Sequence, residues 1–196
     1  TAHPDYFNLL PDGTRRSDPY YCSGYKTYVS MCVSNTGLQS QIVDNWIAEG
    51  DDGTPWINGM ENDTSGKCTC AACMAWDVES ANFAAEYGCP WAQRLTYARN
   101  AFNAGNAAWY NYLGSMSNRY ASFWLALQQE AQSRGYSEAG VWGCAYANYN
   151  KAPVGMENQL NENIMVGVVP GFWFPWSDAA RQAFRDQWDG WRAAGA

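Results

Sequence analysis

Three cysteines stand within six residues, at Cys68-Thr69-Cys70-Ala71-Ala72-Cys73, and they constrain the fold more than any other feature of the sequence. Thiols so close together cannot easily form disulfides with one another, but a tight turn can aim all three at a single ion. Zinc takes four soft ligands in a tetrahedron, and ligands clustered in sequence lower the cost of assembling it. A fourth ligand must then come from elsewhere in the chain. Cys32 is the first choice, because it sits beside the start of a predicted helix, with Cys89 and His3 as alternatives. Such a centre is structural, since four thiolates leave the ion no open position. The competing possibility is that the cysteines pair with distant partners as disulfides. Seven cysteines, an odd number and densely clustered, count against a purely disulfide framework. Cys22 and Cys89 remain available to pair in an oxidising compartment, and Cys144, inside a predicted strand, reads as a small core residue.

Composition narrows the function classes. With 12 basic against 19 acidic residues and a net charge of -7, the chain has no broad basic face to neutralise phosphates. Nucleic-acid binding and docking on anionic lipid are both disfavoured. The longest apolar runs, such as Val166-Gly167-Val168-Val169, fall far short of the ~20 residues of a membrane span. Eleven Trp and 13 Tyr argue for an ordered domain rather than a disordered segment. Thr1-Ala2-His3-Pro4 has neither the basic region nor the apolar core of a secretory signal.

Residues 1–35 read as irregular. A first helix is predicted from Thr36, with Leu38, Ile42, Trp46 and Ile47 on one face and Gly50 as its stop. A short strand follows at Pro55–Met60, running to Glu61 and Asp63. Residues 74–116 read as an elaborated excursion, helical in part around 92–113. A helix capped by Ser117 carries Tyr120, Phe123, Trp124, Leu127 and Ala131 at helical spacing and ends at Gly135. Strands at Val141–Tyr146 and Ile164–Val169 precede a last helix begun by Ser177. This alternation predicts an α/β fold, a partial or truncated (β/α) barrel with an irregular N-terminal segment and a Cys-cluster loop. A complete barrel needs ~250 residues. The run Gly190–Ala196 reads as a helix leading to a connection, so residues 1–196 are expected to form one α/β domain working with the remainder of a longer chain.

Glu61-Asn62-Asp63 falls at the C-terminal end of the first strand, where residues two apart face the same side. Paired carboxylates there are candidates for glycoside hydrolysis, one as acid and the other as base or nucleophile; Asp63 is the favoured member and Glu61 its partner. A solvated acidic turn is the commoner fate of an isolated Glu-x-Asp, and a calcium-binding turn is a third reading. His3 is the only histidine, which disfavours Ser-His-Asp and Cys-His arrangements. Ser65-Gly66-Lys67-Cys68 lacks the residues of a phosphate loop, and no Gly-x-Gly-x-x-Gly follows a strand. Aromatic groups follow the later strands: Tyr146, Asn148 and Tyr149, then Gly171-Phe172-Trp173-Phe174-Pro175-Trp176. Flat rings flanked by amides suit sugars, so Tyr146, Asn148, Trp173 and Trp176 are candidate carbohydrate contacts. Core packing is the alternative for any one of them. Asn62-Asp63-Thr64 has the form of a glycosylation sequon and is read as coincidental.

His3-Pro4-Asp5-Tyr6-Phe7, Gly13-Thr14-Arg15-Arg16, Met31-Cys32-Val33-Ser34-Asn35, Asn62-Asp63 and the Cys triplet together resemble a bacterial family of glycoside-hydrolase-like barrels. Asn118–Trp124, Ala145–Tyr149 and Asn163–Val166 are similar to that family in kind and order. The family is described mostly as a domain of unknown function and often follows an α-glucuronidase-like N-terminal domain. The resemblance implies a (β/α) barrel, export from the cell (secreted or periplasmic) and a role in polysaccharide breakdown. The Cys turn is also similar to the structural zinc site of a β-galactosidase family, where an upstream Cys joins a Cys-x-Cys-x-x-Cys turn; that implies Cys32 as fourth ligand. Glu61 is a departure, standing where a less acidic residue is expected. The expected function is thus a glycoside hydrolase, and the alternative is a non-catalytic glycan-binding or structural module held by zinc.

Overall fold

The computed structural model describes residues 3–20, 29–49, 56–61, 66–169, 171 and 174–196. Its elements are α1 (Thr36–Glu49), β1 (Trp56–Asn58), α2 (Ala71–Met74), α3 (Phe83–Tyr87), α4 (Arg94–Asn103), α5 (Ser117–Ser133), β2 (Gly140–Ala145), β3 (Ile164–Val168) and α6 (Asp178–Ala193). Helix, strand, helix, strand, strand, helix is the predicted order of the main elements, with α2, α3 and α4 inside the excursion. The strands form one parallel sheet in the order β1-β2-β3, with Ile57 opposite Val141 and Val141 opposite Ile164. The described residues contain this small sheet and no closed barrel.

Alternation along the strands decides which face the helices cover. Val141, Gly143 and Ala145 point to one side and are buried. A Cβ on Gly143 would collide with the Trp124 indole of α5, and one on Gly59 would lie 2.8 Å from the same ring. Glycine at these two positions therefore lets α5 lie close against the sheet. Trp124 Nε1 donates to the Gly59 carbonyl at 3.0 Å, and its ring meets Trp191 of α6 at 5.5 Å between centroids. Helix α1 joins α5 through Arg134, which bonds Ser40, Asp44 and Glu130. The other side of the sheet carries Trp142 and Met165, 42% and 47% exposed.

Local signals explain most helix ends. Asn35 Oδ1 accepts from Leu38 N–H at 2.9 Å and begins α1; Gly50 lies outside the described residues. Ser177 caps α6 as expected, accepting from Ala180 N–H at 3.1 Å. Ser117 does not cap α5: it is the first helical residue, and its N–H donates to Ser115 Oγ at 3.3 Å. Gly135 takes a φ of +95° just beyond the helix, a conformation that favours glycine. No helix among the described residues is long and apolar enough to cross a membrane.

Two buried ion pairs join the excursion and the N-terminal segment to the core. Lys67 Nζ lies 3.0 Å from Asp18 Oδ2, which also accepts from Trp109 Nε1 at 2.9 Å. Arg119 grips Asp77 with two bonds of 2.9 and 2.7 Å. A charge buried alone would be very costly, and these pairings remove most of that cost.

Candidate functional site

The N-terminal segment, though irregular, draws the cysteine cluster together. Cys32 N–H donates to the Tyr6 carbonyl at 2.8 Å, and Thr69 N–H donates to the Leu9 carbonyl at 2.9 Å. Residues 6–9 therefore tie the Cys32 segment to the Cys triplet. Within the triplet, Cys70 precedes the single turn of α2, and its Sγ accepts from Cys73 N–H at 3.4 Å. One helical turn thus brings Cys73 over Cys70, while Cys68 comes in from extended chain. Arg119 fixes the loop from beneath, donating to the Cys68 carbonyl at 2.7 Å.

The sulfur atoms of Cys32, Cys68, Cys70 and Cys73 all lie within 4.8 Å of one another. Cys32 Sγ is 3.6 Å from Cys70 Sγ and 3.9 Å from Cys73 Sγ. A tetrahedral ion with ~2.3 Å bonds to sulfur spaces its ligands by about 3.8 Å, so these separations fit one shared metal. They are far too long for disulfides, whose sulfurs are ~2.05 Å apart. Further donors surround the cluster: Leu9 N–H reaches Cys68 Sγ at 3.3 Å, and the Ser34 hydroxyl lies 3.0 Å from Cys73 Sγ. Hydrogen bonding from Cys68, then from Cys73 and Arg15, lowers the Cys32 thiol to about 6. Cys70 is lowered too, chiefly by Cys32, whereas Cys68 and Cys73 are raised by the same sharing of protons. Cys32, Cys68 and Cys73 are buried and Cys70 is half-buried, which closes the centre to substrates. Of the alternative ligands, Cys89 is a buried free thiol and His3 is an exposed ring stacked on Tyr6. Cys22 lies outside the described residues.

A second cluster sits at the C-terminal edge of the sheet. Glu61 follows β1, and its carboxylate accepts from Tyr120 O–H, Met31 N–H and Ser30 O–H. Burial raises its pKa above the usual carboxylate range, against the opposing pull of those donors. Tyr120 stacks on Tyr149 with ring centroids 3.8 Å apart, and Tyr149 meets Tyr146 edge-on at 6.4 Å. The Asn148 side chain donates to the Gly66 carbonyl at 2.7 Å and accepts from Gly66 N–H at 3.1 Å. It pins the chain at Gly66 and keeps one N–H and one oxygen lone pair beyond those bonds. Trp176 is 40% exposed and stacks on Phe174, itself 82% exposed. Asp63 and Trp173 lie outside the described residues.

Residues 1–195 match the family model described as a domain of unknown function (DUF4838). The chain belongs to this family. The DUF4838 match runs through residues 74–116 as well as through the segments that carry the motif resemblance. Neither the curated proteins nor the solved structures include a significant match.

Sequence reasoning missed the donors that hold Glu61. Tyr120 reads as one more apolar position on α5, because helical spacing reveals its face and not the reach of its hydroxyl. Arg119 was missed in the same way. A basic residue between Asn118 and Tyr120 on a predicted helix reads as exposed unless its distant partner Asp77 is known.

Proposed function

We propose that this domain is carbohydrate-active, a glycoside hydrolase built on part of a (β/α) barrel and stabilised by a structural zinc ion. Cys32, Cys68, Cys70 and Cys73 are the zinc ligands. The sulfur spacing and the burial of the cluster support a closed tetrahedral centre, and zinc supplies there only a cross-link between the N-terminal segment, the loop before α2 and, through Arg119, α5. Iron also accepts four thiolates; a colourless protein with one zinc per chain distinguishes the two.

The observation that carries the hydrolase reading is Glu61. It sits beyond the C-terminal end of a parallel strand, where α/β enzymes place reacting groups, and burial raises its pKa as a general acid requires. Protonated, it would donate to the leaving glycosidic oxygen, while Asp63 serves as base or nucleophile. Tyr146 and Trp176, with Trp173, are the proposed sugar contacts, and the substrate is a polysaccharide or oligosaccharide outside the cytoplasm, in a secreted or periplasmic setting. The three donors on Glu61 favour a second reading, in which the carboxylate is a structural tether and the domain binds glycans without cleaving them. Reducing-sugar release from a polysaccharide panel separates the readings when wild type is run beside Glu61→Gln and Asp63→Asn. Release by the wild type that both variants lose supports hydrolysis. Glycan binding without turnover in all three supports the binding module.

A further inference from the structure

A cavity of about 210 Å³ opens beyond the end of β2, lined by Tyr87, Asn111, Ser115, Asn148, Asn150 and Lys151. Its wall also includes Ala147, whose φ of +49° is uncommon for a residue other than glycine. The cavity lies on the edge of the sheet where parallel α/β folds bind their ligands. It is smaller than the ~300–1,000 Å³ of pockets for drug-sized molecules, so it suits one small ring rather than an extended ligand.

Its chemistry is polar without being charged. The Asn111 and Asn150 side chains make no hydrogen bond among the described residues, leaving two carboxamides, each able to donate and accept. Ser115 adds a hydroxyl. The Lys151 ammonium is already taken, 2.9 Å from Glu86 Oε2 and 5.6 Å from the centre of the Tyr87 ring. That pairing removes the pull on an anion, and the Tyr87 ring, packed at 4.9 Å on Phe83, completes the wall. Asn148 joins this cavity to the Glu61 cluster: it holds Gly66, and a Cβ at Gly66 would lie 2.7 Å from the Tyr120 hydroxyl, the donor to Glu61.

We infer that this cavity is a subsite for one neutral sugar ring, with Asn111 and Asn150 bonding its hydroxyls. The inference rests on the carbohydrate reading above and assigns it a place and residues that the strand-end motifs did not include.

The test is calorimetric titration of the full chain with xylo-, gluco-, manno- and galacto-hexasaccharides, repeated on Asn111→Ala and Asn150→Ala. Neither side chain bonds another described residue, so both variants should keep the wild-type melting temperature. Each should weaken binding of the recognised hexasaccharide about three- to tenfold. A hexasaccharide bound equally by wild type and both variants overturns the subsite and leaves the carbohydrate reading standing. No binding of any of the four by the wild type overturns the carbohydrate reading and the subsite together.

Discussion

Replacing Arg119 with Met keeps most of the side chain's aliphatic bulk and removes its charge, which makes Arg119→Met a direct probe of how the cysteine loop is held. In the native protein both partners are sealed from solvent, with side-chain exposures of 1% for Arg119 and 0% for Asp77. The substitution leaves Asp77 with Arg94 as its nearest cation, at 3.8 Å instead of 2.7 Å. Breaking a buried pair in this way costs roughly 3–5 kcal/mol. The Cys68 carbonyl also loses its 2.7 Å donor, adding about 1 kcal/mol. A loss of roughly 4–6 kcal/mol is a large share of the ~5–15 kcal/mol that stabilises an ordinary domain. At ~2–4 °C per kcal/mol for a chain of this size, the melting temperature should fall by roughly 8–24 °C. Adding Asp77→Asn removes the stranded charge, so the double variant should regain part of the loss in urea denaturation. A loss below about 1 kcal/mol for Arg119→Met alone would refute the reasoning, because it would mean that Asp77 is not sealed from water.

Other outcomes follow from the same geometry. Cys70→Ser should lose the bound metal and melt well below wild type, and a chelator should lower the wild-type melting temperature toward that of the variant; unchanged melting in both experiments would remove the metal from the folding account. Gly143→Ala drives a methyl group into Trp124, which is backed by Trp191; a loss of at least ~1–3 kcal/mol is expected, and a neutral result would contradict the close seating of α5 on the sheet. If Glu61 is the general acid, it works when protonated. Because burial raises its pKa above 4.5, reducing-sugar release should persist above that pH and decline as pH rises through the raised value. A rate that falls to nothing below pH 4.5 and rises steadily above it would assign Glu61 another role.

Much of what nearest neighbours along the chain set was legible in its sequence, although Ser117 opens α5 as its first helical residue rather than as its cap. Ser177 caps α6 because its hydroxyl needs only the N–H three residues ahead, and alternation alone places Val141 and Gly143 on one side of β2. The Cys triplet announced a shared focus, and Cys32 at a helix entrance completed it across 38 residues. What stayed hidden were side chains whose partners lie far off and break the usual preference for exposure. Lys67 and Asp18 are 49 residues apart, and Arg119 and Asp77 are 42 apart; no periodicity links such pairs. Residues 74–116 looked like decoration for the same reason, yet they supply Asp77 and Trp109 to those buried networks. Asn148 follows β2 as its place in the sequence suggests, but no local pattern reveals its two bonds to Gly66, 82 residues away.

The central claim is that four thiolates from two distant segments close around one ion. Zinc X-ray absorption on the purified protein tests it most directly. One zinc per chain with four sulfur neighbours at ~2.3 Å is the predicted result. Protein free of metal, with Cys68, Cys70 and Cys73 all found in disulfides, would contradict it.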